Sequence, residues 1–336
     1  MKTIGIRLLS ILFFALVLLF PADTLAGSAS GLLLWFQTVL PTLLPAMILA
    51  DYLIRIRADR YISRLAARPL RFIFGVSDDG AYAVLTGFLC GYPMGAKTTA
   101  SLLSRGRIAK EEADYLLSFC NQPSPMFLIG FLCAGLLSDP KRPAAWTAAV
   151  LTGVYLSAFL TSFFFRTLRF LKRQRPAGER PDQAKALPTD KKSGPAEITQ
   201  KTTDFSPLAL LETSMMTSFE VMVKIGGYMM LFSILEAWIQ KLSFPGPSPQ
   251  SVLMGFVEMT TGSRQIAACW PLPRAAAFCC GVTAFGGLSG FAQTANVLKG
   301  SGLSAGRYFL WKLLQGGLAF ALVLLWPLFV SALTLP

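Results

Sequence analysis

The chain of 336 residues contains no histidine. That removes the commonest general base and the commonest metal ligand, and with them any His-dependent chemistry. Charge is scarce too: 15% of residues are charged against 53% hydrophobic, and mean hydropathy is positive. A soluble domain of this composition would expose far too much apolar surface, so the chain reads as an all-α polytopic membrane protein. Acidic residues are outnumbered, 18 to 31, for a net charge of +13. Because Lys and Arg sit mainly in short loops beside apolar runs, this excess follows the positive-inside rule. Nucleic acid is not an expected partner. The six cysteines (Cys90, Cys120, Cys133, Cys269, Cys279, Cys280) show no CxxC spacing and lie in or next to apolar segments. They read as small buried residues, with neither a disulfide frame nor a metal site. No Walker loop, nucleophile elbow or zinc spacing is present, so ATP-driven transport by this chain alone is unsupported and an enzyme is not expected.

What is present is a series of apolar runs. Stretches of about 20 apolar residues suffice to cross a bilayer, and candidates fall at 4 to 20, 31 to 54, 113 to 137, 144 to 165, 219 to 240 and 308 to 334. The first follows Lys2 and Arg7 and precedes Thr24-Leu25-Ala26, a pattern shared with cleaved signal peptides. Its length and the hydrophobic segment close behind it favour an uncleaved span. Three further stretches, 79 to 104, 252 to 270 and 274 to 299, do not fit as plain spans. Residues 171 to 205 are rich in charge and proline and poor in large apolar residues, which predicts a flexible cytoplasmic linker. The organisation expected is an N-terminal span and outer loop (1–30), a first repeat plus returning span (31–170), the linker (171–205) and a second repeat (206–336).

Two of the odd stretches carry a matching glycine hinge. At an offset of 195 residues, Gly91/Gly286, Gly95/Gly290, Thr99/Thr294, Ala100/Ala295 and Leu103/Leu298 coincide. Arg55 to Arg71 precede the first hinge, and Arg105, Arg107 and Lys110 follow it. With both flanks cytoplasmic, 79 to 104 is a re-entrant hairpin, with arms of about 12 residues that reach about half way through the bilayer. Carried forward, this topology brings 274 to 299 in from the opposite side. The result is an inverted repeat of span, re-entrant hairpin and broken span, with Asp51 and Glu236 at matching places in the two opening spans. Arg264, Arg274, Lys299, Arg307 and Lys312 run against it, since they would sit on or near the outer side. Repeated breaks at membrane depth are the usual pointer to a transport site.

Backbone groups freed at such breaks survive only against protein or a water-lined cavity, and half-helices starting there point positive dipole ends inward. The arms beginning near Gly95 and Gly290 would do so, favouring an anionic or strongly polar substrate. Three polar clusters stand beside the breaks. The first is Lys97, Thr98 and Thr99, with Ser289, Gln293, Thr294 and Asn296 as its counterpart; a lysine at membrane depth points to function, although it can also snorkel or pair structurally. The second is Asn121-Gln122-Pro123-Ser124-Pro125, where two prolines remove backbone donors and free carbonyls, either for substrate or as a packing kink. The third is Glu258 to Arg264, in which Glu258, Thr260 and Thr261 suit a substrate contact or a coupling-ion site, or Glu258 pairs with Arg264. Glu220 and Lys224, one helical turn apart, are expected to pair, with Glu212 marking the start of the same span. Gly226-Gly227 reads as close helix packing.

The segments Gly87 to Lys97, Glu111 to Pro125 and Gly286 to Gln293 resemble the sporulation integral membrane proteins of the YlbJ type, over nearly the whole chain except the linker. That family belongs with the nucleoside-recognition gate domain proteins, which are related to concentrative nucleoside transporters. The resemblance implies a role in endospore formation and transport of dipicolinic acid, a pyridine dicarboxylate, from the mother cell towards the forespore. It also implies the fold with two hairpins.

The resulting expectation is a multi-pass secondary transporter, in the mother-cell-derived membrane around the forespore, moving dipicolinate or a similar small organic anion. Lys97, Thr98, Asn121, Ser124, Glu258, Thr260, Ser289 and Gln293 would line its site. Gly91, Pro93, Gly95, Gly286, Gly287 and Gly290 would shape the hairpin tips. No cofactor or metal is expected; the coupling ion and a homo-oligomeric state are left open. A nucleoside or nucleobase carrier and a non-transporting sporulation scaffold are the alternatives.

Overall fold

A computed structural model describes residues 2–56, 58, 68–137, 143–174, 206–242 and 246–328. Every regular element among them is helical. The N-terminal helix α1 (Lys2–Leu19) bends by 106° into α2 (Pro21–Leu34), which continues through a π turn (Trp35–Val39) into α3 (Leu40–Arg55). Helices α4 (Asp78–Cys90) and α5 (Met94–Ser104) fold back on each other. Next come α6 (Lys110–Phe119), a π-helical segment (Phe127–Leu136) and the long α7 (Pro143–Gln174). The second half holds α8 (Pro207–Ile239), α9 (Pro247–Val257), α10 (Met259–Cys269), α11 (Leu272–Phe285), α12 (Gly287–Val297) and α13 (Ala305–Leu324).

Among the described residues three helices are long and apolar enough to cross a membrane: Ala144–Leu171, Pro207–Ile239 and Leu272–Val297, with the bent α1–α2 pair a fourth if it is one span. The first contains the expected span at 144 to 165, the second takes in 219 to 239 of the expected 219 to 240, and both extend further. The expected span at 113 to 137 is broken between Phe119 and Phe127, at the two prolines. Of 308 to 334, α13 covers the part to Leu324, while 329 to 334 lie outside the described residues. Most of the 171 to 205 linker, 175 to 205, does so as well; its first residues continue α7 to Gln174.

Helix α8 shows why this fold suits lipid. Ser214, Ser218, Met222, Ile225, Met229, Ser233 and Glu236 are buried and recur every three or four residues, which makes them one helix face. Leu208, Met216, Val223 and Leu231 are exposed on another. Serines and Glu236 share the buried face with Met222, Ile225 and Met229, while large apolar side chains face outward, as lipid allows and water does not. The buried face receives α2, where a Cβ on Gly27 or Gly31 would stand 2.8 Å from Ser233 atoms; such small residues four apart let two membrane helices meet.

One expectation is overturned. The stretch 274 to 299 is not a re-entrant hairpin: α11 and α12 run on as one 26-residue span interrupted at Gly286. The second helical hairpin is instead α9–α10, within the stretch at 252 to 270, where a Cβ on Gly262 would come within 2.2 Å of Gly255. The hinge match at offset 195 therefore equates a hairpin tip with a break in a span. Glycine is needed at both for the same local reason, a positive φ (86° at Gly91, 93° at Gly286), and this produced the coincidence.

The change also relocates three of the five basic residues that argued against the topology, Lys299, Arg307 and Lys312. Arg307 pairs with Asp114 at 3.2 Å, and a Cβ on Gly302 would lie 3.8 Å from Lys110 Nζ. The α12–α13 connection thus lies beside the start of α6, at the same end as the Arg107–Asp79 ion pair at the base of the first hairpin. Lys312 lies in the protein interior, where it is 1% exposed.

Candidate functional site

The first break is built around two prolines. In a regular helix the N–H of residue i bonds the carbonyl of i−4, so Pro123 and Pro125 leave the carbonyls of Phe119 and Asn121 without donors. Gln122 Nε2 donates to the Phe119 carbonyl, and Lys312 Nζ to that of Asn121 at 3.0 Å. Gln315 connects the two, accepting from Lys312 Nζ at 2.7 Å and donating to Gln122 Oε1 at 2.7 Å. The Asn121 side chain is equally committed. Its Oδ1 accepts from the Ala96 N–H at 3.3 Å near the start of α5, and its Nδ2 donates to Tyr308 OH at 2.9 Å and Thr294 Oγ1 at 3.2 Å. The hairpin is pressed onto this break: a Cβ on Gly95 would stand 2.7 Å from the Cys120 carbonyl, and one on Gly91 2.9 Å from Ser124 N.

Tyr92, at the tip of the α4–α5 hairpin, reaches across to the second half. Its hydroxyl stands 2.9 Å from the Ala284 carbonyl and 3.2 Å from that of Thr283, at the end of α11. There the chain turns at Gly286 into α12, whose N-terminus has no side-chain cap. The α9–α10 tip lies alongside, since a Cβ on Gly287 would be 3.1 Å from Met259 N.

At that tip Glu258 caps α10. Its Oε2 accepts from the Thr260 and Thr261 N–H groups, both at 2.8 Å, and its Oε1 from Thr260 Oγ1 at 3.1 Å. Thr261 Oγ1 donates to Glu236 Oε2 and lies 3.1 Å from Glu258 Oε2, so one hydroxyl stands between two buried carboxyl groups. The other Glu236 oxygen is buried without a hydrogen-bond partner among the described residues. Arg264 is exposed, and the contacts of Glu258 are to Thr260 and Thr261. Asp51, expected to parallel Glu236, pairs with Arg55 at 2.7 Å instead.

Two adjoining cavities meet here. A narrow central one of about 50 Å³ is bordered by Tyr92, Ser124, Glu258, Thr260, Gly290 and Gln293. A larger one of about 290 Å³ lies beside Lys97, Glu220, Lys224, Tyr228, Gln293 and Asn296. Ile225 and Gln293 border both. Lys97 Nζ is buried and has no hydrogen-bond partner among the described residues, whereas Lys224 pairs with Glu220 at 2.6 Å, as its spacing predicted.

The chain is similar to the sporulation integral membrane protein YlbJ of Bacillus subtilis (strain 168). Identity is 27% over 338 aligned positions, which cover 94% of this chain and 81% of YlbJ. No protein-family model matches the chain, and no solved structure does. Similarity to YlbJ over nearly the full length, together with the apolar helices, makes this a multi-pass membrane protein.

Measured against the cavities, the expected site residues divide. Ser124, Glu258, Thr260 and Gln293 border the central space and Lys97 the larger one, with Pro93, Gly286 and Gly290 also on the walls. Asn121 does not line either: its side chain is a buried joint between α5, α12 and α13. Thr98 and Ser289 are buried outside both linings, Thr98 Oγ1 without a partner and Ser289 Oγ accepting from Gln293 at 3.2 Å. Gly91, Gly95 and Gly287 are close-approach positions. Of the two expected inward-pointing helix starts, that of α5 is covered by Asn121 Oδ1, and that of α12, beginning at Gly287, opens towards the central cavity.

Sequence reading missed Tyr308, Lys312 and Gln315. Their spacing (i, i+4, i+7) is a polar stripe on one face of an apolar helix, a signal that was legible. Tyr92 carried no comparable mark, whereas Thr261 stood in the Glu258 to Arg264 cluster. The six cysteines are free thiols, and all but Cys269 are buried.

Proposed function

We propose that this protein is a secondary transporter of a small organic anion, dipicolinate or a close analogue, and that it acts in endospore formation at the membrane around the forespore. The observation that carries this reading is the Lys97 ammonium, buried at a cavity of about 290 Å³ with no hydrogen-bond partner among the described residues. A cation held unpaired at membrane depth costs free energy unless an anion joins it. The volume is near the lower end of small-molecule sites, and Lys224, Asn296 and Gln293 add donors around it. Similarity to a sporulation membrane protein supports the biological setting.

In this reading the architecture is an inverted repeat, with α3, α4–α5 and α6 plus the π segment matched by α8, α9–α10 and α11–α12. The positions of the hairpin bases support it. Leu102 and Ile108, at the first base, pack in one cluster with Leu303 and Tyr308, while Trp270 and Leu272, at the second, pack in another with Leu137 and Trp146. The substrate would pass from the Lys97 cavity by way of Gln293 to the central one as the two units rock. The central space is too narrow for an aromatic dicarboxylate without that movement.

A second reading is favoured by Glu258, whose carboxyl borders the central cavity and suits a neutral hydroxylated substrate such as a nucleoside. Reconstituted vesicles distinguish the two. Saturable dipicolinate flux, unaffected by uridine and reduced at least tenfold in Lys97→Met, is expected for the anion carrier; uridine flux with no dipicolinate flux overturns it. The absence of both fluxes, with loss of sporulation on deleting 175 to 205, would point to a scaffold.

A further inference from the structure

Lys312 lies within α13, and its 1% exposure makes it one of the most deeply buried charged side chains described. Its ammonium is 3.0 Å from the Asn121 carbonyl, 2.7 Å from Gln315 Oε1 and 5.0 Å from the centroid of the Tyr92 ring. Among the described residues no carboxylate forms an ion pair with it. A lysine in hydrocarbon surroundings with no counter-charge needs another source of stabilisation. Here it comes from oxygen dipoles and a π face, the surroundings that suit a desolvated monovalent cation.

The local chemistry explains why a cation is wanted there. Pro125 cannot supply the N–H that would bond the Asn121 carbonyl, and Asn121, Gln122 and Lys312 are all buried. The negative ends of the freed carbonyls therefore gather in the protein interior. Gln122 answers one of them, and the Asn121 carbonyl is left to a group from outside the segment.

We infer that the Lys312 ammonium is the resident cation of the first helix break: it occupies a carbonyl-lined monovalent-cation site, and this break works without an alkali-metal ion. Removing the ammonium while leaving its space open should convert the break into a site for ammonium, potassium or sodium ions. This goes beyond the transport reading and does not depend on it, because the measurement is of stability. If the carrier reading also holds, alkali-ion coupling cannot run through this break.

The test is thermal unfolding of the purified full-length protein in ammonium, potassium, sodium and choline chloride at equal ionic strength. Wild type is expected to unfold at the same temperature in all four. Lys312→Ala is expected to unfold roughly 5 °C or more lower in choline and to recover at least half of that loss, saturably, in one or more of the small cations. Lys312→Met, which fills the space with an apolar group, should be lowered and insensitive to the salt. Equal losses for Lys312→Ala in all four salts overturn the inference, and so does Lys312→Met as stable as wild type. A wild-type midpoint that rises saturably with sodium or potassium over choline also overturns it, since a metal ion would then share the break. The Met variant and the wild-type titration decide the matter if Lys312→Ala does not fold.

Discussion

At the break between α6 and the π segment both carbonyls freed by the prolines are taken up by protein, Phe119 by Gln122 and Asn121 by Lys312, and the Asn121 side-chain amide is held by Ala96, Thr294 and Tyr308. In the second half, at the α9–α10 tip and the Gly286 turn, the balance is different. Among the described residues Glu236 keeps one buried oxygen unpartnered, α12 begins uncapped, and the cavity whose opposite wall includes Pro123 and Ser124 borders Glu258, Gly286 and Gly290. Breaking a helix inside a membrane has one cost, unpaired backbone groups, and the two halves meet it differently. The first closes around its break and becomes an anchor, whereas the second leaves polar groups facing space that a ligand or a movement could use.

Several substitutions can break or sharpen that contrast, taken in order of their effect on stability. Lys312→Ala should cost about 3 kcal/mol, because it empties a packed position and strands the Asn121 carbonyl and Gln315; chemical denaturation in detergent reads this. If the loss is below about 1 kcal/mol, the anchor description is wrong. Gly95→Val should cost about 2 kcal/mol, since its side chain would meet the Cys120 carbonyl and force hairpin and break apart. Glu258→Ala, which uncaps α10, should cost about 1 kcal/mol. A larger loss than for Lys312→Ala would reverse the assignment of which half is the anchor. Lys97→Met should change stability by less than about 1 kcal/mol, since the ammonium has no hydrogen bond to lose, yet abolish most anion flux. Glu220→Gln, on the exposed pair with Lys224, should stay within about 0.5 kcal/mol.

Some of the architecture could be read in the chain because its signals are local. Apolar run length located α7 and α8, the Gly91 to Gly95 hinge with its basic flanks located the first hairpin, and the two prolines located the first break. Glu220 and Lys224 pair because four residues make one helical turn. The second hairpin was misplaced because glycine spacing reports only that the backbone turns. Gly91 and Gly286 both adopt positive φ, and nothing nearby says whether the following arm folds back or continues. The base of 247 to 269 is flanked by single charges, Lys241 and Arg274, and not by clusters like those beside the first hairpin, which hid the true fold-back. Asn121 was expected at the substrate because it stands beside freed carbonyls; its donors and acceptor are in fact consumed by residues 25, 173 and 187 positions away.

The sequence by itself determined the class of solvent, the helical composition and the points where helices must break, since hydropathy, proline and glycine act over a few residues. Only the tertiary structure decided which lysine is answered and which is not. Lys312 and Lys97 look alike in sequence, each a single cation beside apolar residues. Burial against the Asn121 carbonyl makes the first a fixture, and the space around Lys97 leaves the second available. That difference is set by packing between distant helices, where the cost of an unpaired charge depends on what the fold brings next to it.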